Sequence, residues 1–75
     1  MHHELDARRL LCPMPVIRTQ NRVNGMADGE ELEVICTDPG ALQDIPAWCR
    51  VHGHTVHGVA HEDREIVIDI IVGKG

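Results

Sequence analysis

Leu10-Leu11-Cys12-Pro13-Met14-Pro15 marks the boundary between a strand pattern and a helical one. Two prolines one residue apart cannot lie in a helix interior, because each lacks an amide donor and its ring collides with the preceding turn. They are tolerated in a first turn, whose amide hydrogens have no helical partner. A helix is therefore predicted from Pro13 to about Met26, with Val16, Gln20, Val23 and Ala27 on one face and the arginines away from it. Glu4 to Arg8, just upstream, reads as a short strand. Cys12 thus stands immediately before a helix, at the end that carries partial positive charge. A thiol in that position is expected to have a lowered pKa, and the thiolate is the form that reacts. Pro13 and Pro15 each delete a backbone donor, so the sulfur is expected to have few backbone partners in a stiff frame.

Downstream, Ala27-Asp28-Gly29 stops the helix and turns the chain. From Glu31 to Thr37 the residues alternate, Leu32, Val34 and Cys36 on one side and Glu33, Ile35 and Thr37 on the other, which is a half-buried strand. Asp38-Pro39-Gly40 breaks it. A second helix follows, roughly Ala41 to His52, with Leu42, Ile45, Trp48 or Cys49, and His52 at helical spacing. Pro46 requires either a later start, with Asp44 as the cap, or a kink. Gly53 ends this helix, His54 to His61 reads as a strand, Glu62-Asp63-Arg64 as a turn, and Glu65 to Val72 as the last strand of a hairpin.

The order is β-α-β-α-β-β. Two helices of this length cover one face of a four-stranded sheet, which gives an α+β fold, a two-layer sandwich with a mixed sheet and both helices on one side. Residues 1–75 read as one domain. On the open face Ile35, Val59, Val67 and Ile71 are expected, as scattered apolar surface residues.

Composition narrows the function. With no Phe or Tyr and one Trp, the core must come from Val, Ile, Leu and Met. Twelve acidic against seven basic side chains give a net charge of −5, which argues against direct nucleic-acid binding, since that depends on neutralising phosphates. Arg8, Arg9, Arg18 and Arg22 cluster in the first third around Cys12, either as solvated charges or as a positive rim that favours a thiolate. No apolar run approaches a membrane span or a signal region, so a cytoplasmic protein without membrane attachment is expected.

The three cysteines include no Cys-x-x-Cys and resemble neither a zinc framework nor a disulfide scaffold. Cys36 and Cys49 fall on core positions and are expected to be buried and inert. Among the six histidines, His57 and His61 would share a strand face but lie about 13 Å apart. No metal site is therefore expected, and His2 and His3 are read as a frayed terminus.

Leu5-Asp6-Ala7-Arg8 followed by Leu10-Leu11-Cys12-Pro13-Met14-Pro15 resembles the Cys-Pro-x-Pro signature of the TusA/SirA-like sulfur-carrier family. The resemblance continues through Met26, Gly29-Glu30, Asp38-Pro39, Asp44-Ile45-Pro46 with Cys49, and His54, and so covers nearly the whole chain. One departure stands beside the motif: Arg9 occupies a position where the family usually has Gly, and a positive φ there would strain an arginine. The resemblance implies the same two-layer fold and a sulfur relay. Cys12 would take a terminal sulfur as a persulfide from a cysteine desulfurase or a rhodanese-like donor. It would pass that sulfur to a DsrE-type or similar acceptor, in tRNA thiolation or sulfur oxidation. Such thiol exchange needs no cofactor and no metal. Two other readings stay open on the residues themselves: a regulatory or adaptor module whose motif only shapes a docking loop, and a peroxide-sensing thiol.

Overall fold

The computed structural model describes residues 2–73. The elements are β1 (His2–Ala7), α1 (Met14–Val23), β2 (Glu31–Cys36), α2 (Ala41–His52), β3 (Thr55–Glu62) and β4 (Glu65–Ile71). The sheet order is β1-β2-β4-β3, with β1 and β2 parallel and the other two pairings antiparallel. The topology follows from connection lengths. A crossover through α1 makes β1 and β2 parallel, and the two-residue Asp63-Arg64 turn makes β3 and β4 a hairpin. The expected mixed, four-stranded, two-layer α+β sandwich is the observed fold.

The core lies between the sheet and the helices. Leu32, Val34 and Cys36 of β2 and Ile66, Ile68 and Ile70 of β4 meet Val23 of α1 and Ala41, Ile45 and Cys49 of α2. Burying each isoleucine contributes about 1.5–3 kcal/mol, so the alternation in β4 is a principal source of stability.

The buried stripe of α1 differs from the sequence expectation. It is Pro15, Thr19 and Val23, with Val16 half-buried and Gln20 exposed. Thr19 can occupy a core position because its hydroxyl donates to the Pro15 carbonyl at 2.8 Å, leaving no polar group unsatisfied. Ala27 lies beyond the helix end. In α2 the helix starts at Ala41 and continues through Pro46. Asp44 does not cap it. The residue before the helix is Gly40, whose N–H donates to the Asp38 side chain at 3.2 Å. Gly53 closes α2 in the left-handed conformation at φ 79°.

A bulge in β3 between Val56 and Gly58 changes the parity of that strand. Val59 therefore pairs with Ile68 and His61 with Ile66, both on the helix-facing side, so Val59 does not belong to the open face. His57 instead lines a hollow of about 150 Å³ on the open face, and it does not share a face with His61. Nor are His2 and His3 frayed. Both lie in β1, where His2 Nε2 is 3.0 Å from Glu33 and His3 Nε2 is 3.3 Å from Glu30.

Two sites in the fold carry a conformational or protonation cost. Arg9 stands at φ 66°, its N–H donating to Thr37 Oγ1 at 2.8 Å. A left-handed non-glycine residue costs about 1–2 kcal/mol, and glycine would keep the backbone hydrogen bond. Arg9→Gly should therefore stabilise the fold by about 1 kcal/mol after the extra unfolded-state entropy is subtracted, raising Tm by about 4–8 °C in a thermal melt. The second site is His54, which stacks on Trp48 with ring centroids 5.0 Å apart and accepts the Gly73 N–H at Nδ1, 2.8 Å away. Burial, then the charge of His52, holds its pKa below the ordinary 6.5. The unfolded chain thus takes up this proton first, so the stability due to neutral His54 is complete above about pH 6.5 and falls as pH drops through that value. His2, raised by its hydrogen bond to Glu33, acts in the opposite sense. In urea melts at pH 8 and 5.5, the wild type should accordingly lose more stability on acidification than His54→Gln.

Candidate functional site

Cys12 is exposed in the loop between β1 and α1. The loop is held at both ends. The Leu10 N–H reaches the Ala7 carbonyl, and the Met14 N–H donates to the Leu11 carbonyl at 2.8 Å, which begins the turn that becomes α1. At its centre the Cys12 N–H donates to Asp38 Oδ2 at 2.9 Å. The other oxygen of Asp38 accepts the Gly40 N–H, so one carboxylate joins the thiol loop to the start of α2. The Cys12–Pro13 peptide is cis.

The sulfur faces Asp44 in the first turn of α2, donating its S–H to Oδ2 at 2.9 Å. This contact raises the pKa of Cys12, because it exists only for the protonated thiol. Partial desolvation and the negative charges of Asp44 and Asp38 act in the same direction. The sequence expectation of a lowered pKa is thus reversed. Its two supports are missing: prolines remove amide donors at the start of α1, and the arginines of the first third do not act on the sulfur. Arg8 pairs with Asp6 at 3.0 Å and Glu65 at 3.1 Å, and no arginine is among the groups that shift the thiol.

Beside the two carboxylates, the thiol loop and α1 expose apolar side chains. Leu11 is 74% exposed, Ile17 41% and Met14 36%, so the loop and the outer face of α1 offer side chains that would be better covered. Sequence reasoning missed the role of Asp44. It noted Asp44-Ile45-Pro46 but assigned the carboxylate to capping. An acidic residue one turn into a helix that also holds a proline was the available signal, and only the packing of α2 beside the loop gives it a partner.

Cys36 and Cys49 are buried, as expected, and desolvation pushes each thiol up to about 11. Of the histidines of the second half, His52 and His54 each lie with ring centroids 5.0 Å from Trp48, while His57 and His61 face opposite sides of the sheet. Ligand atoms of His2, Glu4 and Glu33 come within 4.8 Å of one another on the open face. That group lies at the starts of β1 and β2, about 16 Å of strand from the end at which Cys12 stands.

Comparison with known proteins places this geometry in context. The pattern of one protein family, described as Sulfurtransferase TusA, matches residues 3–72. YrkI, a candidate sulfur carrier protein of Bacillus subtilis (strain 168), is 48% identical over 71 residues, covering 95% of this chain and 92% of the relative. A second candidate sulfur carrier of the same organism, YrkF, is 41% identical over 58 residues, which make up 77% of this chain but 31% of that longer protein. The crystal structure of a SirA-like protein from Desulfitobacterium hafniense superposes with a TM-score of 0.84 at 22% identity, covering 95% of this chain and 97% of the other, a likeness of fold.

The three thiols should separate cleanly in a labelling experiment. One equivalent of iodoacetamide adduct, on Cys12, is expected on the folded protein by peptide mass spectrometry, and adducts on Cys36 and Cys49 only after denaturation.

Proposed function

Because the chain belongs to the TusA sulfurtransferase family, we propose that it is a sulfur carrier whose cargo rides on Cys12 as a persulfide. The observation that carries this reading is the exposure of one thiol on an apolar rim while the other two are buried. A carrier must present its sulfur to the active sites of larger enzymes, and a surface loop does this where a pocket would not. In the loading step the Cys12 sulfur attacks the terminal sulfur of a donor persulfide. The new S–S bond forms, the donor S–S bond breaks, and the electron pair leaves on the donor cysteine, which takes up a proton as Cys12 loses one. Thiol and disulfide-level sulfur are conserved, so no outside oxidant is required. Unloading is the same exchange onto an acceptor cysteine.

The donor in this reading is a cysteine desulfurase or a rhodanese-like protein, and the acceptor is a DsrE-type or similar relay protein serving tRNA thiolation or sulfur oxidation. Residues 1–75 act as one carrier domain. A reducing cytoplasm suits a working thiol, and among the described residues no helix is long and apolar enough to cross a membrane.

The test is intact-protein mass spectrometry after mixing with a cysteine desulfurase, pyridoxal phosphate and cysteine, or with thiosulfate and a rhodanese. A gain of one sulfur atom is expected, reversed by reductant and absent in Cys12→Ser. If neither donor loads the protein, the carrier reading fails. If Cys12→Ser complements a deletion strain fully, the motif serves as a docking loop instead.

A further inference from the structure

Two negative charges stand beside the exposed thiol without a cation of their own. Among the described residues, Arg8 is paired with Asp6 and Glu65, and the remaining ion pairs join His2 and His3 to Glu30, Glu31 and Glu33. Asp44 and Asp38 have no cationic partner there. Asp38 is tied into backbone hydrogen bonds from Cys12 and Gly40, whereas the one side-chain hydrogen bond of Asp44 is the one it accepts from Cys12 Sγ. Asp44 also lies in the first turn of α2, where the helix dipole favours a carboxylate. It is therefore a fixed acceptor whose only visible task is to hold a hydrogen on the sulfur.

We propose that Asp44 is a lock on the Cys12 thiol, opened by a cationic side chain that the sulfur donor brings into the interface. This rests on the carrier reading and adds to it the chemistry of the partner. In the free carrier the Asp44 carboxylate holds Cys12 as S–H, with Asp38 adding a second charge that opposes a thiolate. This keeps the sulfur from reacting with stray oxidants and alkylating agents. A lysine or arginine of the docked donor pairs with Asp44, withdraws the acceptor and cancels its charge. The thiol then ionises where the donor persulfide waits, and its proton passes to the departing donor cysteine. The apolar side chains of Leu11, Met14 and Ile17 supply contact area beside this charge pair. Once Cys12 is loaded, its inner sulfur carries no hydrogen and the lock has nothing to hold, so the outer sulfur is free for transfer.

The charged groups facing the thiol are Asp44 from α2 and Asp38 from the β2–α2 loop, so the test changes the first and keeps the second. The full chain is prepared as wild type, Asp44→Asn and Asp44→Glu, with thermal melts as the check of folding. The pH profile of Cys12 alkylation by iodoacetamide reads the lock. The midpoint should fall in Asp44→Asn, with the rate at neutral pH rising about threefold for each unit of fall, since the thiolate fraction rises while its nucleophilicity drops, and Asp44→Glu stays near the wild type. Sulfur loading then reads the key. From glutathione persulfide, Asp44→Asn should load faster than wild type; from a cysteine desulfurase it should load more slowly, because the cation has lost its carboxylate. A merely structural residue would not give these opposite changes. An unchanged or higher midpoint in Asp44→Asn overturns the lock, and faster loading from both donors overturns the cationic key. Failure of the wild type to load from either donor would sink the carrier reading itself, and the alkylation profile would still decide the lock.

Discussion

The carboxylate of Asp38 joins the thiol loop to the start of α2. One oxygen takes the Cys12 N–H and the other the Gly40 N–H, so the loop that carries the thiol is registered against the first turn of α2. Asp38 stands two residues past the end of β2, and Ala7, the last residue of β1, pairs with Cys36 in the parallel ladder. The thiol loop and the carboxylate that grips it thus leave the sheet side by side. From this one anchor follow the position of Cys12, its contact with Asp44 and the sense in which its pKa moves. A backbone N–H bonded to a charged acceptor is among the stronger hydrogen bonds of a protein, which suits a joint between two loops.

The pKa of the thiol so placed is raised rather than lowered. Helix N-termini favour anions, and a cysteine before a helix invites the reading of a standing thiolate. Here the helix that follows Cys12 has lost amide donors to Pro13 and Pro15, while the carboxylate of a neighbouring helix lies 2.9 Å away. A short-range hydrogen bond to a full negative charge outweighs a weakened dipole of about half a charge.

The same region stores conformational cost. Arg9 takes a left-handed conformation two residues after β1, at φ 66°, and its amide is secured by Thr37 just past the end of β2. With Asp38 this makes two contacts from the β2 end that shape the thiol loop. The strain sits in the approach to the motif and leaves the motif itself undisturbed.

The order of elements, the placement of Cys12 at a strand-to-helix junction and the burial of Cys36 and Cys49 were legible from residue pattern alone. Each depends on local rules: proline in a first turn, alternation in a half-buried strand, glycine after a helix. The departures have one kind of cause. Thr19 entered the core by bonding its own helix, the bulge at His57 reversed the faces of Val59 and His61, and Asp44 turned from cap to thiol partner. Each depends on what another segment brings within hydrogen-bonding reach, and no local period encodes that. The sequence by itself determined which thiol would be exposed and where the chain would turn around it. Only the tertiary structure decided which way the pKa of that thiol moves, because the groups that shift it lie about thirty residues away along the chain and arrive through the β2–α2 connection.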